Sequence, residues 1–337
     1  MSYQRGMAAI RLQAPAEIPH TQYCEHAPWL EHLRRRAGRP DVGLAELLDF
    51  DFIWTVDGQT DLGGRWTDMG HAVWLADGSD YHRPSPSPFT DLEAIYQLDP
   101  FAEYRRVDHA EQVARYRAWY EKARRDDAVV PGGTYRTVIS YAIAAFGWEN
   151  LLLAAGTDAE RFGRLLDRWT DYLLQFVAAW AETDIEVYLT HDDIVWTSGA
   201  FLPPAFYRRY VFPNLKRHWD LVRAAGKKVV FCSDGNFTEF VDDLAAAGAE
   251  GFILEPTTDL ELICRRYGRT HVIIGNADCR VLTFGTPEDV YAEVKRCMDT
   301  GRDCPGYFFA VGNHIPPNVP IANADACMDA YRQLRRR

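Results

Sequence analysis

The sequence predicts a (β/α)8 barrel, an α/β fold in which one domain spans residues 1–337. Three observations predict it. Between residues 185 and 313, short apolar runs alternate with amphipathic helical stretches, the pattern of βαβ units and a parallel sheet. No G-x-G-x-x-G turn and no G-x-x-x-x-G-K motif follows any run, which weakens the dinucleotide and P-loop readings. The apolar runs also end in residues able to do chemistry, and barrels collect such residues at one mouth.

Taken in chain order, EIPHTQYC (17–24) and FDFIWTV (50–56) read as early strands. Residues 60–105 are rich in Asp, Gly, Pro and aromatics and read as long loops over the barrel mouth. A helix near 107–125 carries charge on one side and belongs outside. Residues 158–182 place Phe162, Leu165, Leu166, Trp169, Leu173, Phe176, Val177 and Trp180 on one helical stripe. Thr157 and Glu160 form a capping-box pattern at its start. Strands follow at 185–190, 227–232, 251–256, 270–276 and 306–313. Between them lie a helix over about 204–225 broken by Pro213, one N-capped by Asn236, one over 259–267, and one opening at Thr286-Pro287. A final helix starts near Asn323.

Composition narrows the function. With 37 basic against 48 acidic side chains the net charge is −11, so a phosphate-backbone partner is not expected. The longest notable uncharged stretch, Thr137 to Trp148, is roughly 12 residues against about 20 for a membrane span, so no membrane association is expected. The 7 cysteines are scattered without C-x-x-C spacing, as in a cytoplasmic protein with reduced thiols.

The strand ends carry His191, Asp192 and Asp193; Cys232, Ser233 and Asp234; Glu255; Asn276 and Asp278; Asn313 and His314. Carboxylates and imidazoles at one mouth suit proton transfer or metal ligation. Each also has a plainer reading. Asp234 before Gly235 suits a tight turn, one of Asp192 and Asp193 suits a cap for the helix near 204 or a loop anchor, and Cys232 suits a buried apolar position. His271, at the start of its strand, belongs at the opposite end. Trp54, Trp66, Trp74 and Trp196 are candidate pocket aromatics, although core packing explains most aromatics equally well.

The ordered series HDD (191–193), GKKVVFCSDGN (226–236), AAGAEGFILEP (246–256), IIGNAD (273–278), FGTPEDVYAEV (284–294) and GYFFAVGNHIPPNVPIAN (306–323) resembles the uroporphyrinogen decarboxylase superfamily. The opening RGMAAIRLQAPAEIPH and FGWENLLLAAG (146–156) resemble it too. The resemblance implies a (β/α)8 barrel and two kinds of chemistry. One is cofactor-free decarboxylation of a tetrapyrrole, whose arginine motif has only a near-echo in Arg35-Arg36-Ala37-Gly38-Arg39, in a stretch that reads as exposed. The other is methyl transfer coupled to a corrinoid protein and assisted by zinc. That branch's His-x-Cys and Cys zinc ligands fall on Cys232, Asp234 and Asn313, so its usual ligand set is missing.

The sequence therefore leads to an enzyme outside both branches, transferring a methyl or one-carbon group on a small molecule. A decarboxylase is the alternative, and a non-catalytic ligand-binding barrel the third reading. Asp193, Asp234, His314 and Asn276 are the expected catalytic residues, and His191, Asn313, Asp278 and Trp196 the expected substrate contacts. Cys232, Glu255 and His314 are the expected ligands of a zinc-like ion. The expected partners are the small-molecule substrate, a corrinoid protein and a second copy in a homodimer. His314 is expected to matter more than any other histidine.

Overall fold

The structure is a computed structural model and describes residues 2–56, 62–67, 86–125 and 127–337. Its strands are β1 (Gly132–Thr134), β2 (Val187–His191), β3 (Val195–Trp196), β4 (Gly199–Ala200), β5 (Lys228–Cys232), β6 (Gly251–Ile253), β7 (Val272–Ile274) and β8 (Tyr307–Phe308). Six of them form one sheet in the order β1-β2-β5-β6-β7-β8, every pair parallel. The β3–β4 pair is a separate antiparallel hairpin beside the mouth.

Two early segments close the ring. His20 bridges Phe309 in parallel, and Phe52 bridges Val129. The Asp51 N–H donates to the His20 carbonyl at 3.0 Å, joining the two segments. The expected strands at 17–24 and 50–56 thus supply the remaining staves, but as isolated bridges rather than full strands. A third stave, running from Val129 into β1, was not expected at all. Its Gly133 has φ +144, and a Cβ there would stand 1.8 Å from the Leu189 carbonyl oxygen. Only glycine lets this stave lie so close to β2.

Alternation sorts the side chains. Val187, Leu189, Val230, Cys232, Ile253, Val272, Ile274 and Phe308 fill the barrel interior, where Met7, Ala9 and Ile10 of the helix Tyr3–Ile10 join them. The opposite faces of the same strands, with Tyr188, Val229, Phe231 and Phe252, pack on the surrounding helices. Burial on both faces accounts for runs that read as continuously apolar.

Several boundaries shift from expectation. The helix Ala159–Ala181 is capped by Asp158, whose side chain accepts from the Arg161 N–H, so Thr157 is not its cap. Asn236 accepts from the Thr238 N–H in the turn ahead of the 3-10 helix Thr238–Phe240, and it does not cap the helix Val241–Ala247 behind it. Pro213 does not break its helix. A π-turn over Tyr207–Val211 absorbs the missing donor, and the helix continues as Phe212–Ala224. The loop expected after 276 contains an extra helix, Cys279–Phe284. The helix opening at Thr286-Pro287 is present as Pro287–Gly301, and Thr286 and Asp289 form a capping box at its start.

The uncharged stretch near 137–148 forms part of a longer helix, Val138–Thr157, long and apolar enough to cross a membrane by length and composition. Here 67% of its apolar window is buried inside the fold. Gly147, at φ +75, kinks it midway.

Candidate functional site

At the C-terminal ends of the strands a cavity of about 330 Å³ opens into the barrel. Leu189, Ile253 and Leu254 form its apolar part, Tyr23, Trp54 and Tyr135 its aromatic part, and His191, Cys232, Ser233, Asp234, Glu255 and Asn313 its polar part.

His191 ends β2 and turns inward. Its Nδ1 lies 2.9 Å from the Tyr135 carbonyl oxygen, and the Tyr135 ring stacks on the imidazole at 4.5 Å and 8°. The other ring nitrogen faces Asp193 at 3.2 Å and Asp234 at 3.9 Å. Burial alone would lower the His191 pKa, but the two carboxylates outweigh it and hold the pKa well above the ordinary histidine value. Asp193 also accepts from the Asp234 backbone N–H at 3.0 Å.

Asp192 points the other way. Fully buried, it accepts from the N–H groups of Ile139 (3.1 Å) and Ser140 (2.6 Å) and so caps the helix Val138–Thr157, not the expected one near 204. Of the two adjacent aspartates, one belongs to the scaffold and the other to the cavity mouth.

Glu255 follows β6 on the same face as Ile253. Its carboxylate accepts from Gly235 N–H and from Asn313 Nδ2, both at 2.6 Å. Gly235, at φ +81, leaves no room for a Cβ beside the Trp196 carbonyl, and that close approach aims its N–H at Glu255. Burial, reinforced by Asp234, pushes the Glu255 pKa up to about 7. Asn313 itself adopts φ +64 and spans Glu255 and Asp234, the latter at 3.3 Å.

Other expected site residues lie elsewhere. His314 is buried behind Asn313, with its Nδ1 2.6 Å from Asn313 Oδ1, and is not on the cavity wall. The imidazole on the cavity wall is that of His191. Asn276 sends its amide nitrogen to the carbonyls of Glu255 and Thr258, at 3.1 and 2.9 Å, and ties those segments together beneath the cavity. Asp278 caps the helix Cys279–Phe284 and pairs with Arg280 at 2.6 Å, so its carboxylate is engaged outside the cavity. Trp196 is 44% exposed on the β3–β4 hairpin, against Trp148 and Phe201. Trp66 packs on Tyr104 and Trp169, and Trp74 lies outside the described residues. Arg35, Arg36 and Arg39 are exposed and pair with Glu31, Asp325 and Glu46, away from the mouth as expected. The expected metal set of Cys232, Glu255 and His314 does not come together. The donor atoms that do, within 4.8 Å of one another, belong to His191, Asp193 and Asp234.

Tyr135 and Tyr23 were missed by sequence reasoning. The signal for Tyr135 was present in AVVPGGTY (128–135), a β-branched pair followed by two glycines and an aromatic.

The uroporphyrinogen decarboxylase family model matches residues 61–334. The chain belongs to the uroporphyrinogen decarboxylase family. It is 27% identical over 267 residues to the uroporphyrinogen decarboxylase of Syntrophotalea carbinolica, covering 75% of this chain and 74% of that one. It is 29% identical over 269 residues to that of Xanthomonas axonopodis pv. citri, covering 74% and 72%. A methyltransferase from Methanosarcina mazei superposes with a TM-score of 0.66 over 99% of both chains, at 17% identity. That last likeness is one of fold. Decarboxylases and a methyltransferase therefore share this barrel, and the chain is an enzyme of this family by kinship.

Proposed function

We propose that this family member transfers a methyl or other one-carbon group to or from a small molecule that is not a polyanion. The observation that carries the reading is the charge of the cavity. Asp234 and Glu255 line it and Asp193 adjoins them, while among the described lining residues there is no lysine or arginine. Arg136, beside Tyr135, faces a separate recess with Tyr116, Tyr141 and His218. A tetrapyrrole bearing many carboxylates would meet like charge at this mouth. A volume of about 330 Å³ also lies near the lower end of small-molecule pockets, roughly 300–1,000 Å³.

On this reading the aromatic wall of Tyr23, Trp54 and Tyr135 holds the apolar part of the substrate. His191 and Glu255 hold or deliver a proton at the atom gaining or losing the carbon, and a corrinoid protein serves as the one-carbon carrier. The thiolate zinc set of the methyltransferase branch does not fit here. Its last position is Asn313, whose amide nitrogen donates to two carboxylates, and its first is Cys232, whose thiol pKa burial pushes up.

Decarboxylation of a small acid is the second reading. Glu255, with its pKa raised to about 7, retains a proton that a carbanion left by CO2 loss could take. The test incubates the purified chain with uroporphyrinogen, and separately with methylcob(III)alamin and a panel of small thiols and phenols. Cleavage of the cobalt–carbon bond, lost in Asp234→Asn, is the expected result. Release of CO2 from uroporphyrinogen, also lost in Asp234→Asn, would replace the proposal with the tetrapyrrole decarboxylase.

A further inference from the structure

The cavity contains a carboxylate with no positive partner. Glu255 accepts from the Gly235 N–H and from Asn313 Nδ2, both neutral donors, and no lysine, arginine or histidine among the described residues pairs with it. Asp234, half exposed on the same lining, shares the Asn313 amide at 3.3 Å and stands 3.9 Å from His191. The imidazole, held protonated, already has a nearer partner in Asp193 at 3.2 Å. Among the described residues the lining therefore carries more carboxylate than positive charge. Burial and the Asp234 charge both disfavour the ionised form of Glu255, and a cation beside it would favour that form.

Next to these carboxylates the wall is aromatic. The Tyr23 and Trp54 rings line the cavity with centroids 6.2 Å apart and planes at 41°, so they make a corner and not a stack. No lysine or arginine among the described residues lies over either ring. Tyr23 is also close enough to Asp234 for that charge to help hold its phenol protonated. A ring corner accepts neutral apolar groups and cations alike, but only a cation also gains from the carboxylates. An alkylated ammonium uses both features. Its methyl and methylene shell packs on rings, and its charge interacts with a carboxylate without needing a hydrogen bond.

We propose that this cavity recognises a small organic monocation bearing an alkylated ammonium group, with Tyr23 and Trp54 against the alkyl shell and Glu255 and Asp234 supplying the counter-charge. The inference deepens the group-transfer reading by naming the substrate class. It rests on that reading only for what is done to the ligand, because recognition stands on the cavity itself.

The full chain, kept in EDTA, is titrated with tetramethylammonium, with choline and with the neutral tert-butyl analogue of choline, in which carbon replaces the charged nitrogen. Calorimetry reads the binding. Saturable binding of one ammonium ion per chain is expected, at least about tenfold tighter for choline than for its neutral analogue. Glu255→Gln keeps the shape of the side chain and should weaken choline binding about tenfold while leaving the neutral analogue within about twofold. Asp234→Asn, at a half-exposed position, should act in the same direction. Circular dichroism checks that each variant is folded. Equal binding of choline and its neutral analogue, no saturable binding of either ammonium ion, or choline binding unchanged in both variants overturns the inference. A chain that binds choline in this way but moves no methyl group overturns the group-transfer reading alone. One that moves methyl groups to thiols or phenols and binds no ammonium ion overturns this inference alone.

Discussion

Replacing Asp192 and Asp193 one at a time by alanine should separate scaffold from site at adjacent positions. In Asp192→Ala two N–H groups at the start of the helix Val138–Thr157, those of Ile139 and Ser140, lose their acceptor inside the protein. Each buried unsatisfied donor costs about 1–3 kcal/mol. The gain from no longer burying a carboxylate, whose pKa burial raises, offsets part of this. The net loss is about 2–4 kcal/mol. At roughly 2.1 cal/mol/K per residue, 337 residues unfold with an entropy of about 0.7 kcal/mol/K, so Tm should fall by about 3–6 °C. Asp193→Ala should cost less than half of that, because its side chain is 25% exposed and water replaces part of what is lost. It should nonetheless abolish turnover in the methylcob(III)alamin cleavage assay, because its carboxylate faces His191 at 3.2 Å at the cavity mouth. The assay is a thermal melt by circular dichroism beside that turnover measurement for each variant. Equal Tm losses, or the larger loss in Asp193→Ala, would refute the assignment of the two carboxylates to different faces.

Other outcomes follow from the same geometry. His218 is buried, and loss of hydration holds its pKa down to about 4 from the ordinary 6.5. The unfolded chain takes up that proton first, so this contribution is fully present above pH 6.5 and lost as pH falls toward 4, about 3 kcal/mol in all. The difference in denaturation free energy between the parent and His218→Leu should shrink by about that amount over this range, and a pH-independent difference would contradict it. Gly133→Ala should yield no folded chain, judged by soluble yield and circular dichroism, because its Cβ would stand 1.8 Å from the Leu189 oxygen. Asn276→Ala should lower Tm by several degrees, since the carbonyls of Glu255 and Thr258 lose their donor, yet keep turnover within about threefold of the parent. Loss of turnover in that folded variant would return Asn276 to the site.

The sequence by itself determined the alternation of strand and helix from 185 onward, because strands buried on both faces are apolar throughout and amphipathic helices separate them. It also determined that polar groups collect at the strand ends, since those positions are read directly from where each apolar run stops. Of the first three staves, the runs at 17–24 and 50–56 were legible as strands and the one from Val129 into β1 was not. Residues near His20, Phe52 and Val129 meet their neighbours through single bridges, held by partners far away in sequence. Only the tertiary structure decided which polar residues share the cavity. Asp192 and Asp193 are chemically the same, and strand alternation sends one to a helix N-terminus and the other to His191. Asn276 stands as close to a strand end as Glu255 does and Asp278 two residues further on, but two backbone carbonyls and Arg280, respectively, engage them first. His314 looked better placed than His191, yet the positive φ of Asn313 puts the amide on the cavity wall and the imidazole behind it. Such choices depend on side-chain direction and on partners distant along the chain, and neither is written in local spacing.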